Sequence, residues 1–134
     1  MGEHTNTALL RTGYEALAQG DVEAVLAMFS ADCVMHIGGD GPLSGQHKGR
    51  EAIGRALGGI VEWTGGTVRL DVEEVFADDH NGIVIVHETG TRVSDGLTLD
   101  VRESHVFRFC DGAAVEFFDV PADDDREAHD AFFS

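Results

Sequence analysis

The chain has 134 residues, 43% of them apolar, with 25 acidic against 9 basic side chains and a formal net charge of −16. That length makes one domain, residues 1–134, able to bury roughly two-thirds of the surface its unfolded chain exposes. Lys48 is the only lysine and the arginines are scattered, so no cationic stripe can neutralise a phosphate backbone; nucleic acid and membrane surfaces are not expected as partners. Cys33 and Cys110 lie in strand-like segments without CxxC spacing and read as reduced residues of a reducing compartment. Met1 to Thr7 carries an acid and a histidine but no apolar run, so a cytoplasmic protein with nothing to cleave is expected. No apolar stretch approaches the ~18 residues a membrane span requires.

Leu10, Tyr14 and Leu17 recur at helical spacing, and after Gly20-Asp21 so do Val22, Val25, Leu26 and Phe29, which predicts two helices. Cys33 to Ile37 reads as a short strand, followed by a glycine-rich loop from Gly38 to Gly49. A third helix carries Ile53, Leu57, Ile60 and Val61, with Trp63 near its end; Gly58 and Gly59 weaken its second half. From Gly66 the period changes to two. Strands are predicted over Thr67 to Phe76, Ile83 to Val93, Leu97 to Phe109 and Ala113 to Val120, separated by Asn81-Gly82, Asp95-Gly96 and Asp111-Gly112 as hairpin turns. The third of these exceeds the usual strand length, so a bend or bulge is expected in it. Residues 122–134 form an acidic C-terminal tail read as solvated, with Phe132 and Phe133 as its possible ties. The order predicts an α+β fold, a curved antiparallel sheet with three helices on its concave face and a pocket at the open end.

Tyr14-Glu15-Ala16-Leu17-Ala18-Gln19-Gly20-Asp21-Val22-Glu23-Ala24, then Phe29-Ser30-Ala31-Asp32-Cys33-Val34, Leu43-Ser44-Gly45 and Gly49-Arg50-Glu51 follow one another in order. With Thr64-Gly65-Gly66-Thr67 and Asp111-Gly112 before Val115-Glu116-Phe117-Phe118-Asp119-Val120, the chain resembles the SnoaL-like branch of the nuclear transport factor 2-like superfamily. That superfamily also contains ketosteroid isomerase, limonene epoxide hydrolase and polyketide cyclases. The resemblance implies a cone-shaped fold, commonly a homodimer, with a deep apolar pocket for a hydrophobic small molecule. It does not fix the activity, because this fold hosts unrelated chemistries as well as pure binding proteins.

Three residues are singled out as catalytic by this resemblance. His36 stands nine residues before Gly45 of Ser44-Gly45, where the isomerase has its proton-shuttling aspartate, and an imidazole suits proton transfer near neutral pH. His105 precedes Phe107-Arg108-Phe109, where the isomerase has the acid that hydrogen-bonds its oxyanion. Strand parity puts His105 on one face with Leu97, Leu99, Val101, Phe107 and Phe109; Glu103 falls there too, so either a bulge intervenes or the pocket includes an acid. Asp119, in Glu116-Phe117-Phe118-Asp119, matches the acid/base of the polyketide cyclases and alternates with Val115 and Phe117. Each has a plainer reading, as a strand-end polar residue, a satisfied core histidine and an exposed aspartate respectively.

Tyr14 sits six residues before Gly20, one short of the isomerase spacing for its tyrosine donor, and is read as pocket lining. Phe29, Met35, Trp63, Phe76, His87, Phe107 and Phe117 complete the expected pocket. No HxH or HxxxH pair is present, and a metal would need His36, His87 and His105 to converge, so neither metal nor cofactor is predicted. The leading expectation is an acid/base isomerase or cyclase for a hydrophobic cyclic or polyketide-like substrate, with Asp119 or His36 as base and His105 donating to the enolate oxygen. The alternative is a binding or assembly module of the same fold. Convergence of His36, His105 and Asp119 on one cavity distinguishes the two. An epoxide hydrolase is third, because Asp100-Val101-Arg102 reverses the order of that family's Arg-x-Asp.

Overall fold

A computed structural model describes residues 3–134. The first two helices form where periodicity places them. His4 caps α1 (Thr5–Ala18), its Nδ1 accepting from the Asn6 amide, and Asp21 caps α2 (Val22–Leu26) by accepting from the Ala24 amide at 3.2 Å. The second helix is only five residues long, so Phe29 opens strand β1 (Phe29–Ile37) instead of closing a helix. The predicted loop contains a short strand, β2 (Gly45–Lys48), which pairs antiparallel with the end of β1. Gln46, His47 and Lys48 have no apolar alternation that would have marked it. The third helix, α3 (Arg50–Trp63), runs through Gly58 and Gly59 to Trp63, and a Cβ on Gly59 would meet Leu43 Cδ2 at 2.6 Å. The missing side chain lets the loop pack on the helix.

Strands β3 (Arg69–Ala77), β4 (Asn81–Thr91), β5 (Thr98–Cys110) and β6 (Ala113–Pro121) follow as an antiparallel meander. Together the strands make one six-stranded sheet in the order β2-β1-β6-β5-β4-β3, with β1 and β6 parallel. The four long strands are antiparallel neighbours as expected, and β1 adds a parallel junction at β6. The Asp111-Gly112 turn has both residues at positive φ, 52° and 80°, as a two-residue hairpin requires. Asn81-Gly82 is not a turn. The chain reverses at Asp78 to His80, where Asp78 Oδ1 accepts from the amides of His80 and Asn81, and Gly82 lies inside β4 where a Cβ would strike Leu10 and Phe109. The bulge expected in β5 is absent: its register with β4 is unbroken from Thr98 to Arg108. Irregularities fall in other strands, at Glu73 in the edge strand β3 and at Val115 in β6. Val115 is the unpaired residue, so Ala114 and Phe117 share the inner face and Val115 does not.

Helices α1 to α3 lie over the inner face, and the main core joins Leu10, Met28, Ile53, Val84, Phe107 and Ala114. The acidic stretch from Ala122 to Ala128 is largely exposed, but the tail is helical and is tied down at Phe132 and Phe133. A 3₁₀ turn (Asp123–Asp125) leads into α4 (Arg126–Phe132), which buries Phe132 and Phe133 against Leu99 and Val101, with Leu43, Ile60 and Trp63 packed around them. His129, Phe132 and Phe133 recur at three and four residues, a helical stripe that the acidic composition around it hides.

Candidate active site

The cone encloses a cavity of about 540 Å³ whose walls are apolar, among them Val25, Phe29, Met35, Leu57, Ile60 and Phe117. Its floor is polar. Tyr14 from α1, Glu88 from β4, Glu103 and His105 from β5, and Asp119 from β6 all reach it. Strand parity explains the convergence, since Gly82, Val84, Val86 and Glu88 form one buried row of β4, and Leu99, Val101, Glu103, His105 and Phe107 form that of β5. With no bulge between Glu103 and His105, both point inward.

The floor is one hydrogen-bonded cluster. The Tyr14 hydroxyl lies 2.5 Å from His105 Nδ1, and His105 Nε2–H donates to Glu103 Oε1 at 2.7 Å and stands 3.7 Å from Asp119 Oδ1. Behind it, fully buried His129 of α4 donates from Nε2–H to Asp119 Oδ2 at 3.0 Å, with Glu103 Oε2 at 3.4 Å, and its Nδ1 meets Asp130 at 3.2 Å. One oxygen each of Glu88, Glu103 and Asp119 is buried without a hydrogen-bond partner.

These surroundings drive the carboxyls in opposite directions. Burial, then the charges of Glu103 and Asp119, push Glu88 well above the ordinary carboxyl range, which favours its protonated form. Asp119 also pays for burial, but the hydrogen bond from His129 and the charges of His105 and His129 outweigh it, and its pKa lies below the usual value. For both histidines burial opposes the cation and is overcome. Glu103 and Asp119 raise His105 above its ordinary value, and Asp119, Glu103 and Asp130 lift His129 to about 9. Burial and the surrounding acids raise Tyr14 well above 10, so its hydroxyl keeps its proton.

Of the three residues singled out as catalytic, the structure brings His105 and Asp119 together and leaves His36 elsewhere. His36 alternates with Met35 and Ile37, which face the cavity, so its ring is on the outer face of β1, bonded to Glu116 at 3.0 Å and stacked on Phe118. Tyr14, Phe29, Met35, Glu103 and Phe117 line the cavity. The other expected wall residues do not. Phe107 is buried in the core beneath it, Trp63 donates to the Phe132 carbonyl, Phe76 is 56% exposed, and His87 pairs with Asp100 on the outer face. His36, His87 and His105 therefore do not converge. Two other triplets, Glu88-Glu103-His129 and Glu103-His105-Asp119, have donor atoms within 4.8 Å, although their imidazole Nε2 atoms are already committed to carboxylates. Arg102 points outward to Glu73 and is not flanked by two aspartates in the cavity. Sequence reasoning missed Glu88, which its parity with Val84 and Val86 could have revealed, and His129.

A cone of α+β layers over a largely apolar cavity, with a buried titratable cluster at its floor, has the form of a small-molecule pocket. Residues 10–117 match the model of the SnoaL-like domain, and the chain belongs to that family. It is 24% identical over 125 residues to an uncharacterized protein of Mycobacterium tuberculosis, covering 91% of this chain and 95% of the relative. Among solved structures it is similar to Bal32a from a soil-derived mobile gene cassette, with 32% identity, a TM-score of 0.88 and 97% of each chain covered. A Xanthomonas campestris protein of unknown function with a cystatin-like fold is 25% identical, with a TM-score of 0.83 over 96% of this chain and 98% of that one. No helix among the described residues is long and apolar enough to cross a membrane.

Proposed function

We propose that this protein is an acid/base enzyme of the isomerase or cyclase type, acting on a hydrophobic cyclic or polyketide-like carbonyl compound. The observation that carries this reading is the pair of carboxyls on one cavity floor, Asp119 favoured as the anion and Glu88 as the acid. Environments that separate two such groups distinguish a base from an acid. Asp119, with Oδ2 held by His129, takes a proton next to the substrate carbonyl through Oδ1. Because both nitrogens of His105 are engaged, the donor to the enolate oxygen is the Tyr14 hydroxyl: cationic His105 donates from Nδ1 to the phenol oxygen, leaving the phenol proton for the substrate. Glu88 supplies a proton at a second atom, so that a double bond moves or a ring closes. Apolar walls exclude water and fix the reacting geometry.

The test is a fused-ring β,γ-unsaturated ketone, with conjugation followed by absorbance and α-proton exchange followed in deuterated water. Asp119→Asn and Tyr14→Phe should each lower kcat by about 100-fold or more, and His36→Ala should not. Tight binding without exchange or isomerisation across ketones of several sizes would favour the binding-module alternative.

A further inference from the structure

The proposed chemistry approaches Asp119 from the cavity, while His129 touches it from behind. Its helix is anchored independently of the cavity. Trp63 Nε1–H donates to the Phe132 carbonyl at 2.8 Å, and the Arg92 guanidinium donates to the carbonyls of Ala131 and Phe132 at 3.1 and 3.0 Å. The imidazole held there is fully buried and meets acids from every element packed on it: Asp119 of β6, Glu103 of β5, Glu88 of β4 and Asp130 of its own helix. A second titrating base, His105, approaches Asp119 at its opposite oxygen, Oδ1.

We propose that His129 is a positioning residue for Asp119, which makes α4 part of the active site; this inference rests on the acid/base reading of Asp119. The Nε2–H donated to Oδ2 stops the carboxylate from rotating and leaves Oδ1, buried and without a hydrogen-bond partner, as the oxygen free to take a proton. The imidazolium also offsets the repulsion between Asp119 and Glu103 where little water reaches either. Asp130, with a side chain 43% exposed, holds Nδ1 from the solvent side and fixes the ring orientation. The family match ends at Phe117, before Asp119 and all of α4, so the arrangement is not carried by the matched span.

The test is a nitrogen NMR titration of the full chain labelled in histidine. His129 should remain cationic to about pH 9 in the wild type and titrate at least about one pH unit lower in Asp119→Asn. In parallel, His129→Gln keeps an N–H donor without the charge. On the fused-ring ketone it should move the acid limb of kcat/KM upward by roughly one pH unit and change KM by less than about twofold, a split that a purely structural role would not produce. Unchanged His129 titration in Asp119→Asn, or a His129→Gln profile that overlays the wild type, overturns the proposal. If His129→Gln does not fold, the Asp119→Asn titration decides. Coupled titrations without ketone turnover would mean that the acid/base reading fails; turnover with independent titrations would mean that this inference fails.

Discussion

Raising the pH from neutral should drain stability from this protein through His129. Its imidazole is fully buried and holds its proton to about 9, against 6.5 for a free side chain, because Asp119, Glu103 and Asp130 outweigh the cost of burial. A folded state that binds the proton more tightly gains stability that is complete below pH 6.5, shrinks above it and is gone beyond about pH 9. The difference between those two values corresponds to about 3 kcal/mol, an appreciable share of the 5–15 kcal/mol typical of a domain. The same contacts hold Asp119 down, so this energy belongs to the pair and is counted once. Urea unfolding measured from about pH 6 to about pH 10 should show it, with His129→Gln as the reference that cannot titrate there. The wild type should be the more stable at the acid end, and the gap between the two proteins should close by about 3 kcal/mol over the window. Parallel curves would refute the reasoning and mean that the buried ring is neutral.

Glu88→Gln replaces a carboxyl whose pKa is raised by burial and neighbouring acids with a neutral isostere. Since the unfolded chain ionises more readily than the folded one, that carboxyl destabilises the fold above about pH 4.5, and Glu88→Gln should raise Tm at pH 7.5 with the gain vanishing near pH 4. Two adjacent glycines should respond differently to alanine. A Cβ on Gly58 meets nothing within 4 Å, so Gly58→Ala should add up to about 1 kcal/mol in thermal unfolding. Gly59→Ala should gain nothing, because Leu43 must first move aside. The Gly58 position also lines the cavity, and Gly58→Leu should raise KM for fused-ring ketones more than for single-ring ones.

Periodicity located the helices and the long strands because those segments bury one face, and a one-sided environment writes its period into the sequence. It located Glu103 and His105 for the same reason: both follow the buried row of β5. The failures come from information that periodicity does not hold. The spacing from His36 to Ser44-Gly45 fits the family pattern, yet Met35 and Ile37 take the inward positions of β1 and turn His36 out. Strand β2 has no buried row, so only its pairing with β1 defines it. Asp119 keeps the expected alternation with Phe117, but the Val115 bulge puts Ala114 in the inward row in place of Val115, and a bulge is a property of two paired strands. His129 sits in a stretch, Asp123 to Asp130, that holds five acids and one arginine, and is recognisable only through the helical spacing to Phe132 and Phe133.

The floor of the cavity joins residues that are far apart along the chain: Tyr14 and His105 are 91 positions apart, and His129 closes the ring from α4. Glu103, His105, Asp119 and His129 fall within residues 103–129, whereas Tyr14 and Glu88 join them from further back in the chain. A chain with the sheet formed but α4 undocked would expose Glu103 and Asp119 to each other without His129, an arrangement more costly than either the open chain or the finished fold. The acidic cluster therefore penalises half-assembled forms. The groups proposed to move protons would also sharpen folding into a single step, at the expense of the slow search that such distant contacts impose.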